Sequence, residues 1–257
     1  MYKRQESVTN PIKFYANNTR NTLNLLQACV LHGVERFIFS STAAVYGMPE
    51  DGVATEESRT LPINPYGTSK LVSEWMLRDT AAAHGLRYVA LRYFNVAGAD
   101  PQARMGQRTP EATHLIKVAC QAALGMRDSV AIYGTDYDTP DGTGIRDYIH
   151  IEDLASAHLA AISHLDGGGA NKILNVGYGR GSSVREVLEV VKRVAGVDFT
   201  VVEAPRRPGD PAMLVAKADR IRQELSWQPR YADLETIVAD AWRWEKKYYS
   251  ATKAQSA

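Results

Sequence analysis

Tyr66 and Lys70, within the run Pro65-Tyr-Gly-Thr-Ser-Lys70, set a titratable phenol and an ammonium four residues apart. If a helix starts at this tyrosine and runs through Leu71, Val72, Trp75, Met76 and Leu77, the two groups share one face, a single turn apart. A lysine so placed acidifies the phenol. Free tyrosine titrates near ~10, so a phenolate that accepts a proton near pH 7 requires roughly 4–5 kcal/mol at ~1.4 kcal/mol per unit. A cation at ~4 Å in a partly screened site is worth about 4 kcal/mol, and a cationic cofactor ring beside the phenol would supply the rest. Tyrosine and lysine also fall four apart on many helices by chance, so the pair gains meaning only from what flanks it.

Two flanking clusters qualify, and each follows a short apolar run of the kind that forms a strand buried on both faces of a parallel sheet. Arg36-Phe-Ile-Phe39 leads into Ser40, Ser41 and Thr42, and Tyr88-Val-Ala-Leu91 leads into Arg92-Tyr-Phe-Asn95. Open α/β sheets bind ligands at the carboxyl ends of their strands; a plain polar turn is the competing reading for the hydroxyls. Between the clusters, a Pro-, Glu- and Asp-rich loop (49–64) precedes the Tyr66 helix, which Gly85 ends.

The rest of the chain continues the alternation. Residues 1–5 connect to nothing periodic and 6–11 read as a loop; Ile12 to His32 suits a long helix stopped by Gly33. Asn17 and Asn18 lie inside that helix, where asparagine is a poor former; either they carry a hydrogen-bonding role or they face solvent. Residues 96–110 look loop-like and 111–126 helical, followed by a strand at Val130–Tyr133 and a polar loop over 137–144. A strand at Tyr148–Ile151, a helix at 155–165, a strand at Ile173–Val176, a helix at 184–195 and a strand at 199–202 come next, with final helices near 217–225 and 233–248. The repeated strand, helix, strand order predicts α/β architecture with right-handed crossovers.

Composition narrows the class of partner. The 257 residues carry 30 basic and 29 acidic side chains, a net charge of +1, which supplies no field for nucleic acid or an anionic membrane surface. No apolar run reaches the ~20 residues of a membrane span and no signal pattern opens the chain. Cys29 and Cys120 sit in apolar helical patterns and read as reduced core thiols, so the cytosol is the expected compartment. None of the six histidines is paired at ligand spacing, and no metal is expected. Gly177-Tyr-Gly-Arg-Gly181 superficially resembles a dinucleotide fingerprint, but its third glycine comes one residue early. Ser183 and Glu186 form a capping box that accounts for the helix start without a phosphate.

Taken together, Phe39-Ser-Ser-Thr-Ala-Ala-Val-Tyr-Gly47, Pro65-Tyr-Gly-Thr-Ser-Lys70, Arg92-Tyr-Phe-Asn95 and Asp141-Gly-Thr-Gly-Ile-Arg-Asp-Tyr-Ile-His150 resemble the extended short-chain dehydrogenase/reductase family, in its branch of nucleotide-sugar 4-epimerases. The resemblance implies a Rossmann-like doubly wound parallel sheet with NAD as cofactor, and a smaller C-terminal α/β domain that binds UDP-glucose or UDP-galactose. Tyr66 would be the base, Lys70 its partner and a ribose ligand, and Thr42 a hydrogen-bond bridge to the sugar 4-oxygen. Asn18, Ser40, Ser41 and Phe94 would lie near the cofactor. Asn95, His114, Leu115, Ala131, Tyr133, Arg146, Arg207 and Asp210 would surround the UDP-sugar, with the two arginines on its diphosphate. His114 stands where other members have Asn, and Leu214 where some have Tyr. Family members often form homodimers through two long helices, here 12–32 and 66–84.

The resemblance also implies what the sheet lacks. Members open with a strand and a Gly-rich loop that seats the cofactor pyrophosphate, and no such unit stands before Glu6. The expectation is an incomplete Rossmann domain over residues 1–95, residues 1–5 being foreign, and a mainly sugar-binding unit over 96–257 from which part of 147–177 returns to the sheet. Without the opening unit these 257 residues are expected to be inactive on their own; the alternatives are another NAD-dependent nucleotide-sugar epimerase or dehydratase, or a non-catalytic nucleotide-sugar-binding fragment. A 4,6-dehydratase is disfavoured, because Ala43 and Ala44 occupy the place of its acid pair. These 257 residues alone are expected to purify without NAD; stoichiometric NAD released on denaturation would contradict this.

Overall fold

A computed structural model describes residues 2–109 and 112–255. The chain opens with α1 (Tyr2–Thr9) and α2 (Pro11–Phe14), then a π-helical stretch (Tyr15–Arg20) and α3 (Asn21–Leu31). Next come β1 (Arg36–Ser40), a 3₁₀ turn (Ala43–Val45), β2 (Val53–Ala54), α4 (Pro65–His84), β3 (Arg87–Tyr93) and β4 (Asn95–Ala97). After α5 (Leu115–Ala123), β5 (Val130–Tyr133) and β6 (Ile145–His150) follow α6 (Ile151–Asp166), β7 (Lys172–Val176), β8 (Gly181–Ser183) and α7 (Val184–Ala195). The last elements are β9 (Val201–Ala204), β10 (Met213–Ala216), α8 (Asp219–Leu225) and α9 (Leu234–Gln255).

Every pairing among the described strands is parallel except that of β6 with β8. One sheet has the order β1-β3-β7, a second β2-β10-β6-β4 with β8 on β6, and β5 pairs with β9. The middle of strand β3, Tyr88–Leu91, is continuously apolar for a reason the packing shows. Its Tyr88 and Ala90 join a core with Leu26 of α3 and Leu77 of α4, whereas Val89 and Leu91 join the main core with Ala157 and Leu165 of α6. Successive side chains point to opposite faces, so helices on both sides favour apolar residues throughout this run. This is the α/β architecture that the element order predicts, in the doubly wound form that the resemblance implies.

Residue Phe94 separates the two larger sheets. Strand β3 pairs with β1 up to Leu91 and with β7 up to Tyr93, and just past Phe94 β4 pairs instead with β6, Asn95 opposite Tyr148. The carboxyl ends of β1 and β3 therefore open onto the seam between the sheets.

Local chemistry sets the element ends. Asn64 accepts from Gly67 N at 2.9 Å as N-cap of α4, Pro65 occupies the first turn, and Gly85 closes the helix at φ +71. Ser183 and Glu186 form the expected reciprocal cap on α7.

Several boundaries differ from the sequence reading. Residues 2–9 are helical rather than aperiodic and looped: α1 packs on α4, burying Ser7, and Asn10 caps the next helix by accepting from Lys13 N at 3.3 Å. Strand β1 buries only Phe39 fully, since it is an edge of its sheet among the described residues. Residues 95–97 form a strand within the stretch read as loop, and α5 begins at Leu115, Pro110 and Glu111 lying outside the described residues as Met1 does. Strands β2, β8 and β10 are two to four residues long, too short to show a period.

Gly67 marks a close approach between α4 and the 3₁₀ turn. A Cβ there would stand 2.5 Å from the Ala44 carbonyl oxygen and 2.9 Å from Pro62 Cβ. Gly67→Ala is expected to cost about 1–3 kcal/mol through forced separation of the helix and the 3₁₀ turn. Urea denaturation checks this, and an unchanged midpoint would show that the two segments part freely.

Candidate active site

Tyr66 stands in the first turn of α4, only 9% exposed, its ring edge-on to Phe14 with centroids 6.0 Å apart. One turn later Lys70 reaches back to the end of β1: Nζ donates to the Ser40 carbonyl at 3.0 Å and lies 4.8 Å from the centroid of the Phe39 ring. The ammonium thus faces the strand end that carries the hydroxyls. Ser41 donates through its amide to Leu91 O at 2.9 Å, tying that end to β3, and its Oγ donates to Glu74. Thr42 is extended, and its Oγ1 accepts from Ala44 N at 3.2 Å as cap of the 3₁₀ turn.

A cavity of about 350 Å³ opens beside these groups. Of the residues predicted to carry chemistry, Thr42, Tyr66, Phe94, Asn95, His114, Leu115 and Arg146 line it. Tyr93 also lines it; burial pushes that phenol up, the neighbouring Tyr66 adds to the rise, and a hydrogen bond with Ser40 opposes it. Ser40 Oγ further lies 3.1 Å from His158 Nε2. Lys70, Ser40 and Ser41 are therefore behind the wall formed by Thr42 and Tyr66 rather than in it.

Asn18 and Asn17 separate cleanly. Asn17 is exposed, whereas Asn18 Nδ2 donates to Ser69 Oγ at 2.9 Å, and Ser69 Oγ donates to Tyr66 O at 2.8 Å. The π-helical turn around Asn18 is what brings this side chain against α4; such bulges commonly sit at functional positions.

Of the residues predicted to surround the UDP-sugar, four fall outside the cavity lining: Ala131, Tyr133, Arg207 and Asp210. They form a neighbouring cluster. The Arg207 guanidinium lies 3.4 Å from the centroid of the half-exposed Tyr133 ring, and Asp210 N donates to Arg207 O at 3.3 Å. Arg146 joins the two groups. Burial draws its guanidinium below the ordinary arginine value, and the nearby Asp210 charge counters that. Arg146 Nε and Asp210 Oδ1 are both buried without a hydrogen-bond partner among the described residues, donor and acceptor atoms of the kind that a polar ligand satisfies.

Two further features of the lining carry no local spacing signal. Lys117 and Glu245 form an ion pair, 7% and 4% exposed at their side chains, and Lys117 also donates to Gln107 O at 2.9 Å. The partners are 128 residues apart, so only the lysine inside an otherwise apolar helix could have drawn attention. The Gly177-Tyr-Gly179 turn is structural: Asp147, buried on β6, accepts from Tyr178 N at 3.0 Å and from Gly179 N at 2.9 Å.

Comparison with known proteins follows the same lines. The profile of the NAD dependent epimerase/dehydratase family matches residues 3–177, and the chain belongs to that family. Among individual relatives, UDP-glucose 4-epimerase of Azospirillum brasilense is 60% identical over 241 residues, which span 94% of this chain and 69% of that protein. The crystal structure of UDP-glucose 4-epimerase from Brucella ovis in complex with NAD is 46% identical with a TM-score of 0.90, covering 93% of this chain and 74% of that one. UDP-glucose 4-epimerase from Bifidobacterium longum, solved with NAD+ and UDP, is 42% identical with a TM-score of 0.88, covering 94% and 72%. Among the described residues, no helix is long and apolar enough to cross a membrane.

Proposed function

We propose that this chain carries the sugar-oxidising centre of an NAD-dependent UDP-glucose/UDP-galactose 4-epimerase. The observation that carries the reading is the convergence of Tyr66, Thr42 and Arg146 on one cavity. A phenol, a hydroxyl and a guanidinium around a single hollow are the donor set for a sugar alcohol attached to a phosphate.

The residues at the strand ends also suit the cofactor. An ammonium and a phenol one turn apart, beside Ser40 and the ring of Phe94, match the diol and ring of a nicotinamide riboside. When bound, NAD would supply the reversible two-electron chemistry at C4 of the sugar. Tyr66 takes the proton of the 4-hydroxyl and later gives it back. Lys70 stabilises the phenolate, and Thr42 holds the 4-oxygen by a hydrogen bond. Phe94 and Leu115 exclude water from the reacting edge of the sugar. Arg146 and Arg207 grip the diphosphate while the 4-keto sugar turns, with Tyr133 and Ala131 on the uridine side and Asp210 orienting Arg146. His114 and Asn95 remain to meet the hexose and its phosphate.

Elimination of water, as in a dehydratase, lacks an acid here: Ala43 and Ala44 are buried and present only methyl groups. The reading extends to a homodimer, supported by the exposed Leu23 of α3 and Trp75 of α4, and to the cytosol, supported by the free buried thiols of Cys29 and Cys120.

Conversion of UDP-galactose to UDP-glucose by the NAD-loaded full-length protein tests the proposal. Tyr66→Phe is expected to lower kcat by at least ~100-fold while UDP binding survives, because only the proton acceptor is lost; near-normal turnover would remove Tyr66 as base. Arg207→Ala is expected to weaken UDP binding by about tenfold or more, consistent with loss of one charge-assisted contact. Unchanged affinity in calorimetry would take Arg207 off the diphosphate.

A further inference from the structure

Glu74 lies one turn beyond Lys70 and two beyond Tyr66, on the same face of α4. The residue is 2% exposed, and Arg92 of β3 holds it in a two-pronged grip, Nε to Oε1 at 3.0 Å and Nη2 to Oε2 at 2.6 Å. Oε1 also accepts from Ser41 Oγ. The remaining end of the guanidinium, Nη1, donates to Tyr46 Oη at 3.1 Å, and Tyr46 donates to Asn175 Oδ1 of β7 at 2.7 Å. Asn175 is itself fixed, Nδ2 donating to Ala54 O at 2.9 Å. The segment after β1 is thereby pinned on both sides of Thr42, at Ser41 by Glu74 and at Tyr46 by Arg92.

Stability alone does not call for this arrangement. Well-packed apolar residues of similar volume replace a buried ion pair at no net loss, and often with gain. What a planar guanidinium gripping a carboxylate adds is orientation, since both hydrogen bonds form only in one mutual geometry. The oriented object is the segment that contains Thr42.

We propose that Glu74 is a positioning residue of the reaction: gripped by Arg92, its carboxylate anchors Ser41 and so fixes Thr42 against Tyr66 at the cavity wall. This rests on the 4-epimerase reading for its kinetic consequence, and on the contacts above for its structural one. Three successive turns of α4 then have linked tasks. Tyr66 faces the cavity, Lys70 holds the Ser40 carbonyl, and Glu74 holds the Ser41 hydroxyl.

Two variants and two readouts test it. Glu74→Gln keeps the side-chain shape but removes the charge, and Ser41→Ala removes only the anchored hydroxyl while leaving the ion pair intact. In hydrogen exchange on the chain without cofactor, residues 41–46 are expected to exchange about tenfold faster in both variants, while β3 and β7 in Ser41→Ala stay as protected as in the parent. In the NAD-loaded protein, Glu74→Gln is expected to lose about tenfold or more in kcat with the KM for UDP-galactose within about threefold, since the substrate's diphosphate grip is untouched. Parent-like exchange of 41–46 in Ser41→Ala, an equal rise across β3 and β7, or an unchanged kcat in Glu74→Gln would each overturn the assignment. A parent protein without turnover would sink the 4-epimerase reading instead, and the exchange measurement would still decide what Glu74 anchors.

Discussion

The contact on which this structure depends is the one between a helix and the end of a strand: the first turns of α4 against residues 40–46 after β1. Lys70 gives a hydrogen bond to the Ser40 carbonyl, and Gly67 lets the helix backbone approach the Ala44 carbonyl more closely than any side chain would permit. Neither element would place a reactive group on its own. A strand end offers hydroxyls without a base, and an isolated helix offers a phenol with no substrate surface in front of it. Docked together, they put Thr42 and Tyr66 on one wall.

Polar groups near that wall are satisfied by one another to an unusual depth. The Glu74 and Arg92 pair, the Tyr46 and Asn175 hydroxyl–amide pair, and the Lys117 and Glu245 pair are all buried and all internally bonded. Burial raises the Tyr46 phenol to about 12, despite the opposing Arg92 charge, so it serves as a neutral donor. Arg146 and Asp210 contrast with these, each keeping a buried atom without a partner among the described residues. Where partners abound the structure is fixed; where they are missing it is equipped to meet a polar guest.

Much of this was legible in the sequence because the signals are local. The continuous run at Tyr88–Leu91 reflects helices on both faces of β3, Gly85 and Ser183 mark real helix ends, and the spacing of Tyr66 and Lys70 does produce a shared face. Illegible were features set by chain-distant partners. The helical state of residues 2–9 depends on packing against α4, the strand at 213–216 on slotting between β2 and β6, and the buried state of Lys117 on a carboxylate from α9. Asn18 is an intermediate case. Its poor helix propensity hinted at a role, but only the π-helical turn shows which of the two asparagines is directed at α4.

The order in which the cavity acquires its walls has a consequence for biosynthesis. Thr42 and Tyr66 are made roughly 180 to 200 residues before Trp244 and Glu245 of α9, which complete the same hollow. The ladder between β3 and β7, with Val89 beside Lys172, likewise waits on chain made long after β3 itself. Sequence-distant closures of this sort slow folding and leave apolar surface uncovered in the meantime. A nascent chain therefore holds the Tyr66 phenol in an open groove until α9 has been made, and the hollow is enclosed only when that helix settles.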